Sequence, residues 1–336
     1  MRLLVLCQDP DGPVVRHRVR ALLPHLSDAR FREVTIEGVP RGLIARHRLL
    51  RSSSAYDLVL VVRKLFGGVD IARLRVAARR LAYDLDDAVM LRDPFQRGAG
   101  GKSRTREARF AKMLVRADLV LAGNAYLVGA AEAIAPERTP VKRAPTPIDT
   151  ARFSPGPRPD AILRIGWIGS RSTRAYLQGI AGPLGRLLAA RPDVRFAVMA
   201  DAAPELPFDV EFTRWSEAGE VDFLRSLAVG VMPLTDDDWS RGKCGFKLLQ
   251  YMACGVPAVA SRVGANVVIA NDGSAARLAA DDDEWGAKLT ELLDDRETAQ
   301  ALGTAGRRRA EEAYSADVLG PRYAYELAGC ARDERQ

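Results

Sequence analysis

The stretch Arg241-Gly242-Lys243-Cys244-Gly245-Phe246-Lys247-Leu248-Leu249-Gln250-Tyr251-Met252-Ala253-Cys254-Gly255-Val256-Pro257-Ala258-Val259-Ala260 decides the fold. It reads as a glycine-bearing loop, a short helix and a buried strand entered through Gly255-Val256-Pro257, one repeat of an α/β sheet. A helix that starts beside a glycine loop presents free backbone N–H groups and a partial positive charge, which suits a phosphate. Lys243 and Lys247 stand at that start, in a chain with 7 Lys against 43 Arg. A compact ammonium serves well as a point charge on a diphosphate, helped here by backbone N–H groups near Gly245 and Phe246. An ordinary solvated first turn would use the same residues.

Outward from this stretch, short apolar runs alternate with helical patterns in both halves, the mark of βαβ units and parallel sheets. The expected strands of the first half are Leu3–Cys7, Glu33–Glu37, Leu58–Val62, Leu81–Leu85, Leu119–Ala122 and Val141–Arg143. Those of the second are Arg164–Gly169, Arg195–Met199, Val210–Thr213, Gly230–Met232 and Ala258–Ala260. A length of 336 residues favours two domains. The proline-rich span from Pro145 to Pro159 reads as their connection. The expected division is 1–150, a linker 151–162, a second domain 163–318, and a C-terminal helix 319–336 that returns to the first. Two Rossmann-like, doubly wound α/β domains facing each other across a cleft is the expected architecture, with ligands outside the carboxyl ends of the strands.

Composition excludes several classes. No run approaches the roughly 18 apolar residues of a membrane-spanning helix. The N-terminus reads as a strand rather than a signal peptide. Cys7, Cys244, Cys254 and Cys330 lack metal spacing and fit reduced thiols, hence a cytoplasmic protein. His17, His25 and His47 suggest no metal site, and neither a Gly-x-Ser-x-Gly elbow nor a phosphate-loop lysine motif occurs. The net charge of +7 is uneven, at +11 over residues 1–150 and −4 over 151–336. A basic first half suits an anionic acceptor or a phospholipid surface, and the absence of interleaved aromatics argues against nucleic acid.

Four further segments carry candidate chemistry. Arg164-Ile165-Gly166-Trp167-Ile168-Gly169-Ser170-Arg171-Ser172-Thr173-Arg174 is a strand, a glycine turn and a helix start expected to be capped by Ser172 or Thr173. Gly169, Ser170 and Arg171 are its candidate anion contacts. Trp215 ends a strand, where it packs on a planar base or in the core. Leu81-Ala82-Tyr83-Asp84-Leu85-Asp86-Asp87 ends a strand in three carboxylates that could bind sugar hydroxyls or act as base, with Asp86 and Asp87 the catalytic candidates; capping is the plainer reading. Gly12 and Arg16 follow the first strand, on the acceptor side. The basic stretch Arg92–Arg116 holds eight Lys or Arg, a glycine run Gly98–Gly101, and Phe110, Met113 and Leu114 at helical spacing. It suits a peripheral contact with an anionic membrane at the inner face of the cytoplasmic membrane, or a helix that buries its apolar stripe and leaves a solvated basic face.

Three segments, in this order, resemble the B-type-fold glycosyltransferases of group 1, typified by bacterial cell-surface polysaccharide enzymes. They are Ala117–Asn124 continuing to Pro147–Pro155, Ile165–Ser170, and Leu248–Ser261. The resemblance implies a metal-independent enzyme that moves a sugar from a nucleoside diphosphate sugar to a saccharide, lipid-linked or small-molecule hydroxyl, with retention of configuration and no cofactor. It also implies two glutamates eight positions apart, where this chain has Gly242 and Gln250. Gln250 can still bond ribose hydroxyls. A nucleotide-sugar epimerase, a non-catalytic nucleotide-sugar-binding protein, and an A-type enzyme using Asp84-Leu85-Asp86 on a metal are the rival readings.

Overall fold

The computed structural model describes residues 1–93, 95, 101–157 and 161–332, without the side chain of Ser172. Arg97, Gly98–Gly100, the 158–160 part of the proline-rich span and the Ser172 cap therefore lie outside the described residues. The chain forms two compact units. The first comprises Met1–Pro147, Gly242–Cys244 and Ala316–Gln336, and the second Ile148–Arg241 and Gly245–Ser315.

In the first unit, strands β1 (Arg2–Cys7), β2 (Glu33–Gly38), β3 (Leu58–Val62), β4 (Leu81–Leu85), β5 (Leu119–Ala122) and β6 (Val141–Arg143) form a parallel sheet of order β2-β1-β3-β4-β5-β6. In the second, β7 (Leu163–Ile168), β8 (Val194–Ala200), β9 (Glu211–Arg214), β10 (Val229–Met232), β11 (Ala258–Ser261) and β12 (Arg277–Ala279) run β12-β11-β10-β7-β8-β9, also all parallel. Read within its own unit, the second order is the Rossmann 3-2-1-4-5-6 arrangement. The eleven expected strands are all present, with ends shifted by at most one residue. β12 escaped the pattern because three residues, Arg277-Leu278-Ala279, carry too little alternation.

Central strands β3, β4 and β5 are buried from end to end, and β1 is buried beyond Arg2, because helices cover both faces of a parallel sheet. Among those helices, Arg104–Arg116 starts at Ser103, whose Oγ accepts from the Arg106 N–H at 3.4 Å. Phe110, Met113 and Leu114 are buried in the unit. The basic helix thus packs its apolar stripe inward, as the plainer of its two readings expects. In the second unit Trp167, Phe196, Leu184, Trp285 and Leu289 meet in one core.

Two segment boundaries differ from expectation. The span expected as a linker is built into the second unit up to Ser154: Phe153 is buried, Arg307 donates to the carbonyls of Thr150 and Phe153, and Arg225 bonds Ser154. Backbone carbonyls held by half-buried arginines are satisfied internally, so these residues are not a free tether. The C-terminal helix begins at Ala316 rather than 319 and belongs to the first unit. Its Tyr323 hydroxyl donates to the Pro145 carbonyl at 2.6 Å. Gly320 lies so close to the His25 ring that an added Cβ would fall 2.0 Å from it, which requires glycine there.

Candidate active site

A doubly wound sheet offers its ligand crevice where the strand order reverses. In the second unit that point lies between β7 and β10. These strands pair through Val229 and Ile165 and through Gly230 and Gly166, near the start of β10. Beyond, the hydroxyl of Tyr251 stands between them, accepting from the Ile168 N–H at 3.1 Å and donating to the Val231 carbonyl at 3.2 Å. Its ring lies over Gly230, where an added Cβ would sit 2.5 Å from it. Tyr251 was not singled out from sequence, since a tyrosine in an apolar helix reads as core.

Several of the residues expected at this crevice lie close together. Gly169 and Ser170 follow β7, and the Phe246–Ala253 helix begins beside them. The Lys247 ammonium lies 5.7 Å from the centre of the buried Trp167 ring, and an added Cβ on Gly169 would fall 2.9 Å from Lys247 Cε. Ser170, in place of the expected Ser172 or Thr173, is the N-cap of the Arg171–Arg174 helix, its N–H donating to Thr173 Oγ1 at 3.3 Å. Exposure at position 170 puts the cap where the strand ends rather than two residues on. Arg171 is exposed, while Arg174 donates to the Ala203 carbonyl.

Gly245 caps the Phe246–Ala253 helix in the left-handed region, φ +68°. An added Cβ would fall 2.2 Å from Ile269 Cδ1 and 3.5 Å from Asn266 Oδ1, a buried oxygen that accepts no hydrogen bond among the described residues. Gly245→Ala is therefore expected to cost at least about 1–2 kcal/mol from backbone strain alone, with the Ile269 clash in addition. Urea denaturation measures it; an unchanged midpoint would mean the turn relaxes freely.

Gln250 is buried and donates to Glu220 Oε1 at 3.0 Å. The same carboxylate accepts from Trp215 Nε1 at 3.3 Å, and its other oxygen from Arg152 at 2.8 Å. Trp215 is 37% exposed, so it is not the core residue that its type suggests. Glu220 escaped notice in the sequence because one glutamate in a helix start carries no signal. Its charge is legible only through the three donors that converge on it.

The other expected residues lie in the first unit. Lys243 belongs here and not with Lys247: its ammonium is 3.0 Å from both Asp87 oxygens, and its carbonyl accepts from Asn124 Nδ2 at 2.9 Å. Arg63 reaches both Asp86 and Asp87 from the end of β3, with its backbone at φ +58°, a strained value for a side-chain-bearing residue. Asp84 forms a buried bidentate pair with Arg18. Gly12 caps the Pro13–Arg18 helix after β1, with Arg16 in that helix. Gly242 leaves no room for the glutamate of the resemblance, because an added Cβ would fall 2.9 Å from the Ala88 nitrogen and 2.6 Å from its Cβ.

Burial alone would raise the Asp87 carboxyl, but Lys243 and Arg63 outweigh it and hold the group below its ordinary 3.8. Asp87 is therefore a charged partner of Lys243 and Arg63. Because its folded value is depressed, its stabilising contribution is full above about pH 4 and is lost as pH falls through the folded value. Urea midpoints measured between pH 5 and pH 3 should therefore fall less steeply in Asp87→Asn than in the parent. Parallel slopes would contradict the assignment.

Residues 166–295 match the family model described as Glycosyl transferases group 1. The MMP alpha-(1->4)-mannosyltransferase of Mycolicibacterium hassiacum is 49% identical over 76 residues, which are 21% of this chain and 18% of that protein. The chain thus matches about a fifth of that relative's length. Among solved structures, sucrose-phosphate synthase from Thermosynechococcus elongatus is similar at a TM-score of 0.76 and 15% identity, over 97% of this chain and 98% of that one. Anabaena HepE in complex with UDP and glucose is similar at 0.73 and 15%, over 98% and 100%. Residues 166–295 are thus a glycosyltransferase group 1 segment, in a chain that has the fold of B-type glycosyltransferases.

Proposed function

We propose that the protein is a glycosyltransferase whose second unit binds a nucleoside diphosphate sugar and whose first unit meets the acceptor hydroxyl. The observation that carries this reading is the first turn of the Phe246–Ala253 helix set against Gly169 at the β7/β10 crevice, with Lys247 beside it. As the bond between the anomeric carbon and the phosphate oxygen breaks, negative charge grows on the leaving diphosphate. The Lys247 ammonium and the N–H groups of the first helical turn face that charge. They supply the positive charge that a metal supplies elsewhere, which supports metal-independent transfer without a cofactor. Trp215 offers a face for the base, and Gln250, oriented by Glu220, a partner for the ribose. Asn266 Oδ1 offers an acceptor for a sugar hydroxyl. HepE, of the same fold, has been solved with UDP and with UDP-glucose. Retention of anomeric configuration follows from the family resemblance, and the acceptor is a saccharide, lipid-linked or small-molecule hydroxyl.

A non-catalytic nucleotide-sugar-binding protein is the second reading, favoured by the exclusion of a glutamate at Gly242. Thermal shifts against UDP-, GDP-, dTDP- and CMP-sugars, followed by assays of nucleoside diphosphate release with and without a mixed acceptor pool, separate the readings. The proposed enzyme is stabilised by one donor class and releases nucleotide only with acceptor. Stabilisation without release favours the binding protein, donor conversion without acceptor favours an epimerase, and no shift with any donor overturns the proposal.

A further inference from the structure

Three large aliphatic side chains of the first unit lie open to solvent: Leu43 at 74%, Ile44 at 73% and Val69 at 65% exposure. They come from the first turns of two helices, Leu43–Ser52 and Gly68–Ala77. An ion pair of 2.9 Å between Arg46 and Asp70 ties those turns together, so the three side chains lie on neighbouring turns. Both helices start at glycines, Gly42 and Gly67, without a side-chain cap and with open space where a Cβ would be. Their first N–H groups and positive dipole ends therefore face outward.

The rim of these turns is cationic. Lys112, exposed on the neighbouring Arg104–Arg116 helix, brings its ammonium to 3.2 Å from the Cβ position of Gly68. Lys64 lies within electrostatic reach of Arg41, Arg46 and Arg109, and its ammonium is disfavoured first by burial and then by those three charges. Against them stands Asp70, already paired with Arg46. Exposed aliphatics alone would fit any apolar partner. Beside cations that outnumber the one carboxylate named among them, and beside helix starts without side-chain caps, they fit a surface that is apolar inside and anionic at its rim.

We propose that the N-terminal turns of the Leu43–Ser52 and Gly68–Ala77 helices form a docking surface for an anionic phospholipid bilayer. Leu43, Ile44 and Val69 enter the acyl boundary, and Lys64, Arg109 and Lys112 meet the phosphates. The surface stands independently of the donor reading, because it lies wholly in the first unit.

Sedimentation of the full chain with vesicles tests it, using equal parts phosphatidylglycerol and phosphatidylcholine against phosphatidylcholine alone, at low and high salt. Partition onto the anionic vesicles is expected to exceed that onto the neutral ones at least tenfold at low salt. Leu43→Ser with Ile44→Ser should weaken it at least tenfold at either salt concentration, and Lys64→Gln with Lys112→Gln should weaken it chiefly at low salt. The thermal shift by the nucleotide sugar should stay the same in the Leu43/Ile44 variant, which keeps vesicle binding separable from both folding and the donor site. Equal partition onto neutral vesicles, undiminished binding by the Leu43/Ile44 variant, or no vesicle binding at all would each overturn the proposal.

Discussion

Exchanging Asp84 for asparagine should destabilise the first unit by about 3–5 kcal/mol, the loss expected when a buried charge is stripped of its partner. Arg18 has a fully buried side chain, and that of Asp84 is 4% exposed. The guanidinium donates to both Asp84 oxygens, to Thr146 Oγ1 at 2.9 Å and to the Ala144 carbonyl at 3.1 Å. Burial works against the charge of Arg18, yet Asp84 holds its pKa well above the ordinary value. Asparagine keeps the shape but supplies one acceptor and no charge. Urea denaturation followed by a first-unit probe measures the change. A shift under about 1 kcal/mol would mean that Thr146 and Ala144 suffice. The double change Arg18→Met with Asp84→Leu should be far milder than either single change, since no charge is left buried.

The second large effect is expected on binding. Lys247→Ala should weaken nucleoside diphosphate affinity by about 1.5–3 kcal/mol, the worth of one charge-assisted contact, or roughly 10- to 150-fold. The affinity for the parent nucleoside should hardly change, because the lost group faces the phosphates. Titration calorimetry with UDP, GDP and their nucleosides makes the comparison. Equal losses for diphosphate and nucleoside would assign Lys247 to packing on Trp167, which it also approaches.

Much of the fold was legible because parallel strands buried on both faces write themselves as unbroken runs such as Leu58-Val59-Leu60-Val61-Val62. Part of the crevice between β7 and β10 was legible too. Gly245 and Lys247 stand at a glycine-led helix start and Gly169 in a glycine turn after a strand, patterns that are local in sequence. What stayed hidden depends on partners distant in sequence. Arg63 looks like any arginine after a strand, and only β4 beside β3 brings Asp86 and Asp87 to it. Glu220 gains meaning from Gln250, Trp215 and Arg152, residues spread over about a hundred positions. The partners of Lys243 were hidden for the same reason. Four residues from Lys247 in sequence, Lys243 belongs to the other unit, where Asp87 and Asn124 hold it. The exposure of Leu43, Ile44 and Val69 was invisible because exposed and buried leucines are spelled alike.

The return of the Ala316–Arg332 helix to the first unit sets an order of events during synthesis. The ribosome delivers the residues of the second unit's sheet, through Arg277–Ala279, and its last helix, Arg296–Tyr314, before that closing helix appears. The second unit can therefore mature while the first, begun earlier, still lacks the chain that carries Tyr323 to Pro145 and Gly320 to His25. The half of the protein made first is the half completed last. Until then its unfinished face is open to whatever nascent-chain partners are at hand, and a stop codon placed after Ser315 would injure the N-terminal unit more than the one it adjoins.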